Sequence, residues 1–162
     1  MRGSLVGNVT SYRVATPVIV SANNHISKLV ISGRVERTQI LSGYDTNLSP
    51  QSGDAQVGPV TVGGDWIDSS IDARVQNSNG EPFLGEGNDS IFGGLANSAA
   101  KIASITIWGI VAGSGNASEH FGLVSHFIGP FKAVEFTLAP TIVGSPTFFL
   151  APTTEDVTVE AV

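Results

Sequence analysis

A short apolar phrase recurs along this chain, and it constrains the fold more than any other feature of the sequence. The complete copies have apolar residues at their first, fourth and sixth positions, usually with a glycine two residues later, and the last copy is partial. The fourth positions, separated by 31, 45, 26 and 26 residues, are Leu29, Val60, Ile105, Phe131 and Val157. Alternating Val, Ile and Thr between Gly, Asn, Ser and Pro clusters indicates short strands, and no window has a convincing helical period. The sequence therefore predicts an all-β fold.

The spacing of the phrase suggests how these strands are arranged. Repeats of about 20–50 residues with one strand per unit are typical of solenoids. Because side chains alternate along a strand, Leu29 and Ile31 share one face with their counterparts in every copy. Thr61, Thr106 and other intervening residues face the opposite way. We therefore predict a right-handed parallel β-helix with an apolar column inside it, and a β-sandwich or barrel is the alternative.

The repeat also indicates how the chain is organised. We expect one β-solenoid domain over residues 1–162, with inserted loops over about 42–56 and 76–100, where Gly, Ser, Asn, Asp and Gln are frequent. An uncapped solenoid exposes strand edges that pair with other chains. The predicted parts are an N-terminal cap (1–25), the coils (26–140) and a C-terminal cap (141–162). The expected partners are neighbouring coils of a longer protein or a second copy.

Charge and composition exclude several classes of function. Lys and Arg number 8 against 14 Asp and Glu, which gives a net charge of −6, so we expect no binding to nucleic acid or to an anionic membrane surface. The apolar runs are too short to span a bilayer. The absence of cysteine excludes disulfides, zinc–thiolate sites and cysteine nucleophiles. Polar residues interrupt the N-terminal apolar run, so we expect no export signal within this chain.

Several phrases resemble a known group of proteins. The run VTVGGDWIDSSI over residues 60–71, the runs over 101–109 and 120–124, and the ending over 155–160 are similar to repeated phrases of very long exported proteins of planctomycete-type bacteria. The resemblance covers most of residues 26–162. It implies a β-helix-like fold and an extracellular or cell-surface location. The phrases are structural, so the resemblance implies a fold more than an activity.

One motif is similar to a calcium-binding nonapeptide. The segment 85–94, Gly-Glu-Gly-Asn-Asp-Ser-Ile-Phe-Gly-Gly, matches most of the pattern, with Leu84 in place of the first glycine. Carboxylate and carbonyl oxygens are the ligands that Ca²⁺ prefers. If calcium binds, Asp89 is the predicted ligand, with Glu86 and Asn88 as helpers. A Gly- and Asn-rich loop without a metal explains the same residues, because the motif does not continue in the next register.

A second group of residues is a candidate for glycan contact. We interpret residues 65–75 as one half-buried strand, on which Trp66, Asp68 and Asp72 share the outer face, and Trp108 faces outward on its own strand. Exposed aromatic side chains either stack on sugar rings or pack beneath the inserted loops. Four strand positions place Asp68 and Asp72 about 13 Å apart, too far for a glycosidase pair. The sequence therefore assigns no catalytic residue.

These observations lead to three functional hypotheses. The first is a structural or adhesive module of an exported cell-surface protein that contacts polysaccharide. The second is a carbohydrate-active β-helix enzyme of the lyase or glycoside hydrolase type, which would need charged groups converging from adjacent coils. Against it, the lysines Lys28, Lys101 and Lys132 lie beside no run of acids. The third is a calcium-stabilised binding module, and calcium is the one cofactor predicted.

Overall fold

The computed structural model describes most of the chain as short strands. It describes residues 3–6, 8–10, 13–16, 18–45, 49, 51–52, 54–77, 88–93, 100–116, 119–138, 142–143, 147–150 and 156–162. These residues form 22 strands and no helix, so the all-β prediction is confirmed. The described residues therefore contain no helix that could cross a membrane. The strands are β1 (Leu5–Val6), β2 (Asn8–Thr10), β3 (Arg13–Thr16), β4 (Val18–Ala22), β5 (His25–Ile26), β6 (Leu29–Ile31), β7 (Val35–Glu36), β8 (Thr38–Ser42), β9 (Gln56–Val62), β10 (Trp66–Ile67), β11 (Ser70–Ala73), β12 (Val75–Asn77), β13 (Asp89–Ile91), β14 (Lys101–Ile107), β15 (Val111–Ala112), β16 (Phe121–Ser125), β17 (Phe127–Ile128), β18 (Phe131–Lys132), β19 (Thr137–Leu138), β20 (Ile142–Val143), β21 (Thr147–Phe149) and β22 (Val157–Ala161).

Most strands belong to three sheets that are mainly parallel. Sheet I has the order β1-β7-β10-β15, and sheet II has the order β21-β22-β16-β11-β8-β4. Sheet III contains β5, β6, β9, β14, β17 and β18, with β19 and β20 at its far end. The hairpins β2–β3 and β12–β13 are separate antiparallel pairs. From β5 to β16 the chain visits the sheets three times in the order III, I, II, and we call each such circuit a pass. It then returns to sheet III at β17 and β18 and to sheet II at β22, with no described strand of sheet I between them.

The pairing between passes is regular. In all three sheets, residues paired between the first and second pass are 31 positions apart. These pairs are Leu29–Val60 in sheet III, Val35–Trp66 in sheet I and Ile40–Ile71 in sheet II. The third pass follows at 45 positions in sheets III and I, as Val60 pairs with Ile105 and Trp66 with Val111. A constant offset means that equivalent residues lie in columns across each sheet.

The sequence repeat corresponds to one of these columns, with one exception. Leu29, Val60, Ile105 and Phe131 are paired in succession across sheet III, as the repeat requires. The fifth copy is wrongly aligned, because Val157 pairs with Phe121 in sheet II. Any strand with one face in the core shows the same apolar alternation, so the pattern alone does not distinguish the sheets.

The interior between the three sheets is one apolar cluster. It contains, among others, Ile31, Val62, Ile71, Ile107 and Leu123, all of them almost completely buried. Sheet II is also covered on its other face, where Leu41, Tyr44, Val75, Ile91 and Val124 form a second, smaller cluster. Thr158, which the alternation directed away from the core, is also buried.

The expected strand over residues 65–75 is broken by a corner. Asp68 has a φ of 47°, and this left-handed residue separates β10 from β11. The break shifts the alternation of side chains, so Trp66 and Ile71 both enter the core. The prediction that Trp66 faces solvent is therefore wrong: its side chain is 0% exposed, and its Nε1 donates to the Ser69 carbonyl at 2.9 Å.

Inserted segments lie between the passes. No described strand occurs between Ser42 and Gln56, where one loop was predicted, whereas the predicted loop over 76–100 contains β13, which pairs with β12 as a hairpin. A third insertion was not predicted. The offset between passes rises from 45 at Trp66–Val111 to 52 at Ile71–Leu123, so seven additional residues lie between β15 and β16.

The two ends of the stack are built differently. At the N-terminal end, β1, β4 and the pair β5 and β6 are the last parallel strands of sheets I, II and III. At the C-terminal end, antiparallel strands cover the parallel ones: β21 pairs with β22, β20 with β17, and β19 with β18. Phe136, just before β19, and Leu138, within it, pack on the core near this end.

Candidate functional site

The corner between sheets I and II holds an unusual backbone conformation. Arg37 and Asp68 have φ values of 49° and 47°, and each is stacked on the next pass. The Arg37 amide donates to the Ile67 carbonyl at 3.0 Å, and the Asp68 amide donates to the Ala112 carbonyl at 3.0 Å. Left-handed conformations cost energy for residues with a Cβ and often occur at functional sites. This corner is therefore a candidate site.

Four carboxylates gather around this corner. Glu36, Glu119 and Asp156 are buried, and Asp68 is partly buried. Each of the first three acts on Asp68 by charge repulsion. We call these four residues the corner acids. They come from β7, from the β10–β11 corner, and from the residues preceding β16 and β22, so the stacking of separate passes assembles them.

Basic groups and small residues hold the corner acids in place. Glu36 forms ion pairs with Arg34, at 2.8 Å, and with Arg37. Asp156 Oδ2 accepts a hydrogen bond from the Gly115 amide at 3.0 Å, whereas its Oδ1 is buried without one. Gly113 occupies the corner position of the third pass, and a Cβ there would overlap the Asp156 carboxylate. Glycine at this position therefore makes room for the fourth acid.

Burial and the other three corner acids raise the pKa of Asp68. Burial, opposed in part by Arg37 and assisted by Asp156, Glu119 and Glu36, raises the pKa of Asp68 from 3.8 to about 6. Asp68 Oδ1 is buried and has no hydrogen-bond partner. A carboxylic acid with a pKa near 6 carries a proton over part of the neutral range and is able to donate it. The corner therefore places a candidate general acid, Asp68, beside three other carboxyl groups.

Asp72 occupies a different environment from Asp68. It is 0% exposed, so the prediction that it faces solvent and contacts glycan is wrong. Neither of its carboxylate oxygens has a hydrogen-bond partner. Burial, together with the charge of Asp89, raises its pKa well above the usual range. Tyr44 lies near both acids: burial first, then the charges of Asp72 and Asp89, raise the pKa of its hydroxyl, which donates to the Val75 carbonyl.

The predicted calcium ligands lie partly within the described chain. Asp89 begins β13 and is largely buried, Asn88 precedes it with a buried side-chain oxygen, and Glu86 lies outside the described residues. Within the part of the chain that the structure describes, no group of three or more His, Cys, Asp or Glu side chains is placed to hold a metal. Asp89 instead lies near Asp72, which the sequence analysis had assigned to another site.

Trp108 is the one predicted glycan contact that has a largely exposed side chain. It is 61% exposed, as its outward position predicted. The Lys132 ammonium lies 5.4 Å from the centre of its ring, at the distance of a cation–π contact. Ile110 and Val134, which follow Trp108 and Lys132 closely in sequence, are also exposed. Trp66, the other predicted aromatic contact, lies in the core and cannot reach a surface ligand.

The functional residues that sequence reasoning missed are Glu36, Glu119, Asp156 and Tyr44. Glu119 and Asp156 reach the corner only because of the insertion between β15 and β16 and the placement of β22 in sheet II. No sequence pattern predicts either this insertion or the placement of β22 in sheet II. Comparisons with protein-family models, with curated proteins and with solved structures give no match. The function is therefore argued from the geometry of the chain itself.

Proposed function

We propose that this chain is a structural and adhesive module of an exported cell-surface protein, folded as a right-handed parallel β-helix. The constant offset of 31 residues between the first two passes and the repeating order of the sheets support this fold. A β-sandwich of the common Greek-key kind would join antiparallel strands, whereas the three large sheets here are mainly parallel. The resemblance of residues 26–162 to exported bacterial surface proteins supports the location.

The contrast between the two ends carries the functional proposal. The last strand of sheet II at the N-terminal end, β4, pairs with β8 through the Val18 amide and the Ala22 carbonyl. Because backbone groups alternate along a strand, the amides of Ile19 and Ser21 point away from β8. No described strand pairs with that side of β4. Further parallel strands, from a second copy or a longer chain, would continue sheet II there.

Adhesion would use the outer surface near Trp108. An exposed indole beside an ammonium group suits the face and the hydroxyls of a sugar ring, because the ring stacks on the indole while the ammonium donates hydrogen bonds. We propose polysaccharide as the second partner on this basis. No catalytic step is needed for either role.

Proline substitution at the β4 edge tests the stacking role. Ser21→Pro removes an outward-facing amide, and edge strands tolerate proline there. We expect wild-type protein to self-associate as its concentration rises from micromolar to millimolar in sedimentation velocity, and Ser21→Pro to remain monomeric with a nearly unchanged melting temperature. Val20→Pro is the matched control, because its amide faces β8, so it should destabilise the fold. A wild-type monomer at every concentration would contradict the proposal.

A second candidate function is supported by the corner acids. A carbohydrate-active enzyme requires carboxylates that converge from adjacent passes, and Asp68 has the pKa of a general acid. If this function holds, wild-type protein releases reducing ends or unsaturated products from polysaccharide, and Asp68→Asn lowers the rate by about 100-fold or more. Equal product formation by Asp68→Asn and wild type would exclude Asp68 as the acid.

A further inference from the structure

The region between sheet II and the β12–β13 hairpin contains a second pair of acids. Asp72 lies on the face of β11 opposite Ile71, and its paired neighbours are Leu41 on β8 and Val124 on β16. Leu41 and Val124 belong to the second apolar cluster. The Asp72 carboxylate is therefore enclosed by apolar side chains on both sides within its own sheet.

The hairpin brings Asp89 to the same region. Asp89 and Ile91 have the same parity on β13, and Ile91 packs with Leu41 and Val124. Because alternate side chains share a face, Asp89 is also directed toward sheet II. Its charge raises the pKa values of both Asp72 and Tyr44, so the three groups are neighbours. This position of Asp89 is independent of the nonapeptide pattern that first indicated it.

Among the described residues, none donates a hydrogen bond to the Asp72 carboxylate. Both of its oxygens lack hydrogen-bond partners although the residue is fully buried. The Tyr44 hydroxyl donates to the Val75 carbonyl, and Nε of Arg74 donates to the Phe92 carbonyl. An ionised carboxylate buried without a partner destabilises the folded state, and a second acid beside it adds to that cost. A bound cation removes both penalties together.

We propose that Asp72 and Asp89 bind one Ca²⁺ ion between sheet II and the β12–β13 hairpin. Two carboxylates with neutral oxygens nearby suit Ca²⁺, which accepts carbonyl and water ligands, better than Zn²⁺, which prefers nitrogen and sulfur. The buried amide oxygen of Asn88 is a further oxygen in this segment. With two carboxylates, we expect a dissociation constant of about 0.1–1 mM, as in extracellular modules. The inference is independent of the proposed stacking role.

Thermal unfolding and lanthanide luminescence test this site. At ten times the dissociation constant, Ca²⁺ should raise the melting temperature of chelator-treated wild type by roughly 3–5 °C. Asp72→Asn and Asp89→Asn should abolish this response, whereas Asp54→Asn, at an exposed acid outside the region, should retain it. Tb³⁺ should show luminescence sensitised by Tyr44, and Tyr44→Phe should reduce it without removing the Ca²⁺ response.

Two results would overturn the site. One is a wild-type melting temperature that is the same in Ca²⁺ and in chelator, together with a higher melting temperature for Asp72→Asn, because Asp72 would then be a buried acid that carries a proton. The other is a full Ca²⁺ response in Asp72→Asn. If Asp72→Asn fails to fold, Asp89→Asn, on the hairpin, gives the same test, and Tb³⁺ binding to wild type competed by Ca²⁺ is measured directly.

Discussion

The two ends of this protein use the same parallel sheets but finish them in different ways. At the N-terminal end, the partly buried residues Val18, Val20 and Leu29 form the last apolar layer, and Ile19 and Val30 are exposed beside them. At the C-terminal end, Val157, Val159 and Ala161 on β22 are fully buried, and the antiparallel strand β21 pairs with the outer edge of β22. At the C-terminal end, described antiparallel strands pair with the last parallel strands of sheets II and III, whereas no described strand pairs with the outer edge of β4 at the N-terminal end.

This difference connects stability to function. Open parallel edges tend to pair with other strands, and natural proteins usually cover or charge them. The outward side of β4 has Ile19 and Ser21, and neither carries a charge. At the other end, antiparallel strands already occupy the outer edges of β22, β17 and β18. The proposed stacking therefore uses the N-terminal edge.

The largest effect on the free energy of unfolding is expected when one valine at each end is replaced by alanine. Val159→Ala removes two buried methyl groups from a filled core and should lower the free energy of unfolding by about 2 kcal/mol. Val20→Ala removes the same atoms from a partly exposed layer and should cost less than about 1 kcal/mol. Chemical denaturation of the monomer at low concentration measures both values.

A larger loss at Val20 than at Val159 would contradict the comparison, because it would mean that the N-terminal layer is as fully packed as the C-terminal one. Ser21→Ala on the same edge strand provides a control. Its side chain is exposed, so this change should leave the free energy of unfolding nearly unaltered.

A smaller effect concerns pH at the corner acids. The pKa of Asp68 is raised from 3.8 to about 6, so the folded state binds this proton more tightly than the unfolded chain. The resulting stability is fully present below about pH 4 and is lost as the pH rises through 6. Solvent screens this partly exposed group, so the loss should be less than about 1 kcal/mol. Denaturation of wild type and Asp68→Asn across pH 4–8 measures it.

The raised pKa of Asp72 makes the free energy of unfolding fall with rising pH in both proteins. Subtracting the pH profile of Asp68→Asn from that of wild type therefore leaves the contribution of Asp68. Equal pH profiles for the two proteins would show that Asp68 titrates as an ordinary surface acid.

Much of the strand arrangement could be predicted from the sequence, because a two-residue alternation repeated along the chain reflects burial directly. Four of the five repeat positions pair in one sheet for this reason. The corner at Asp68 could not be predicted. An aspartate tolerates a left-handed φ without being required there, and a single such residue changes which side chains enter the core. The burial of Trp66 is the consequence.

The candidate sites depend on contacts that are distant in sequence. Asp68 and Asp72 look equivalent on an extended strand, but the corner separates them into a polar environment and an apolar one. Asp89 was assigned to a calcium motif and its neighbour Asp72 to the surface, so there was no reason in the sequence to place them together. The covering of sheet II by the hairpin brings the two together, and no local pattern predicts where a hairpin packs.

Hydrogen exchange at the β4 edge tests the central claim most directly. The amides of Ile19 and Ser21 point away from β8 and should exchange rapidly in dilute protein. As concentration rises, we expect these two amides to become protected, while the amides of β22 remain equally protected throughout. Fast exchange of Ile19 and Ser21 at every concentration, in a protein whose β22 amides are protected, would contradict a stacking role for the N-terminal end.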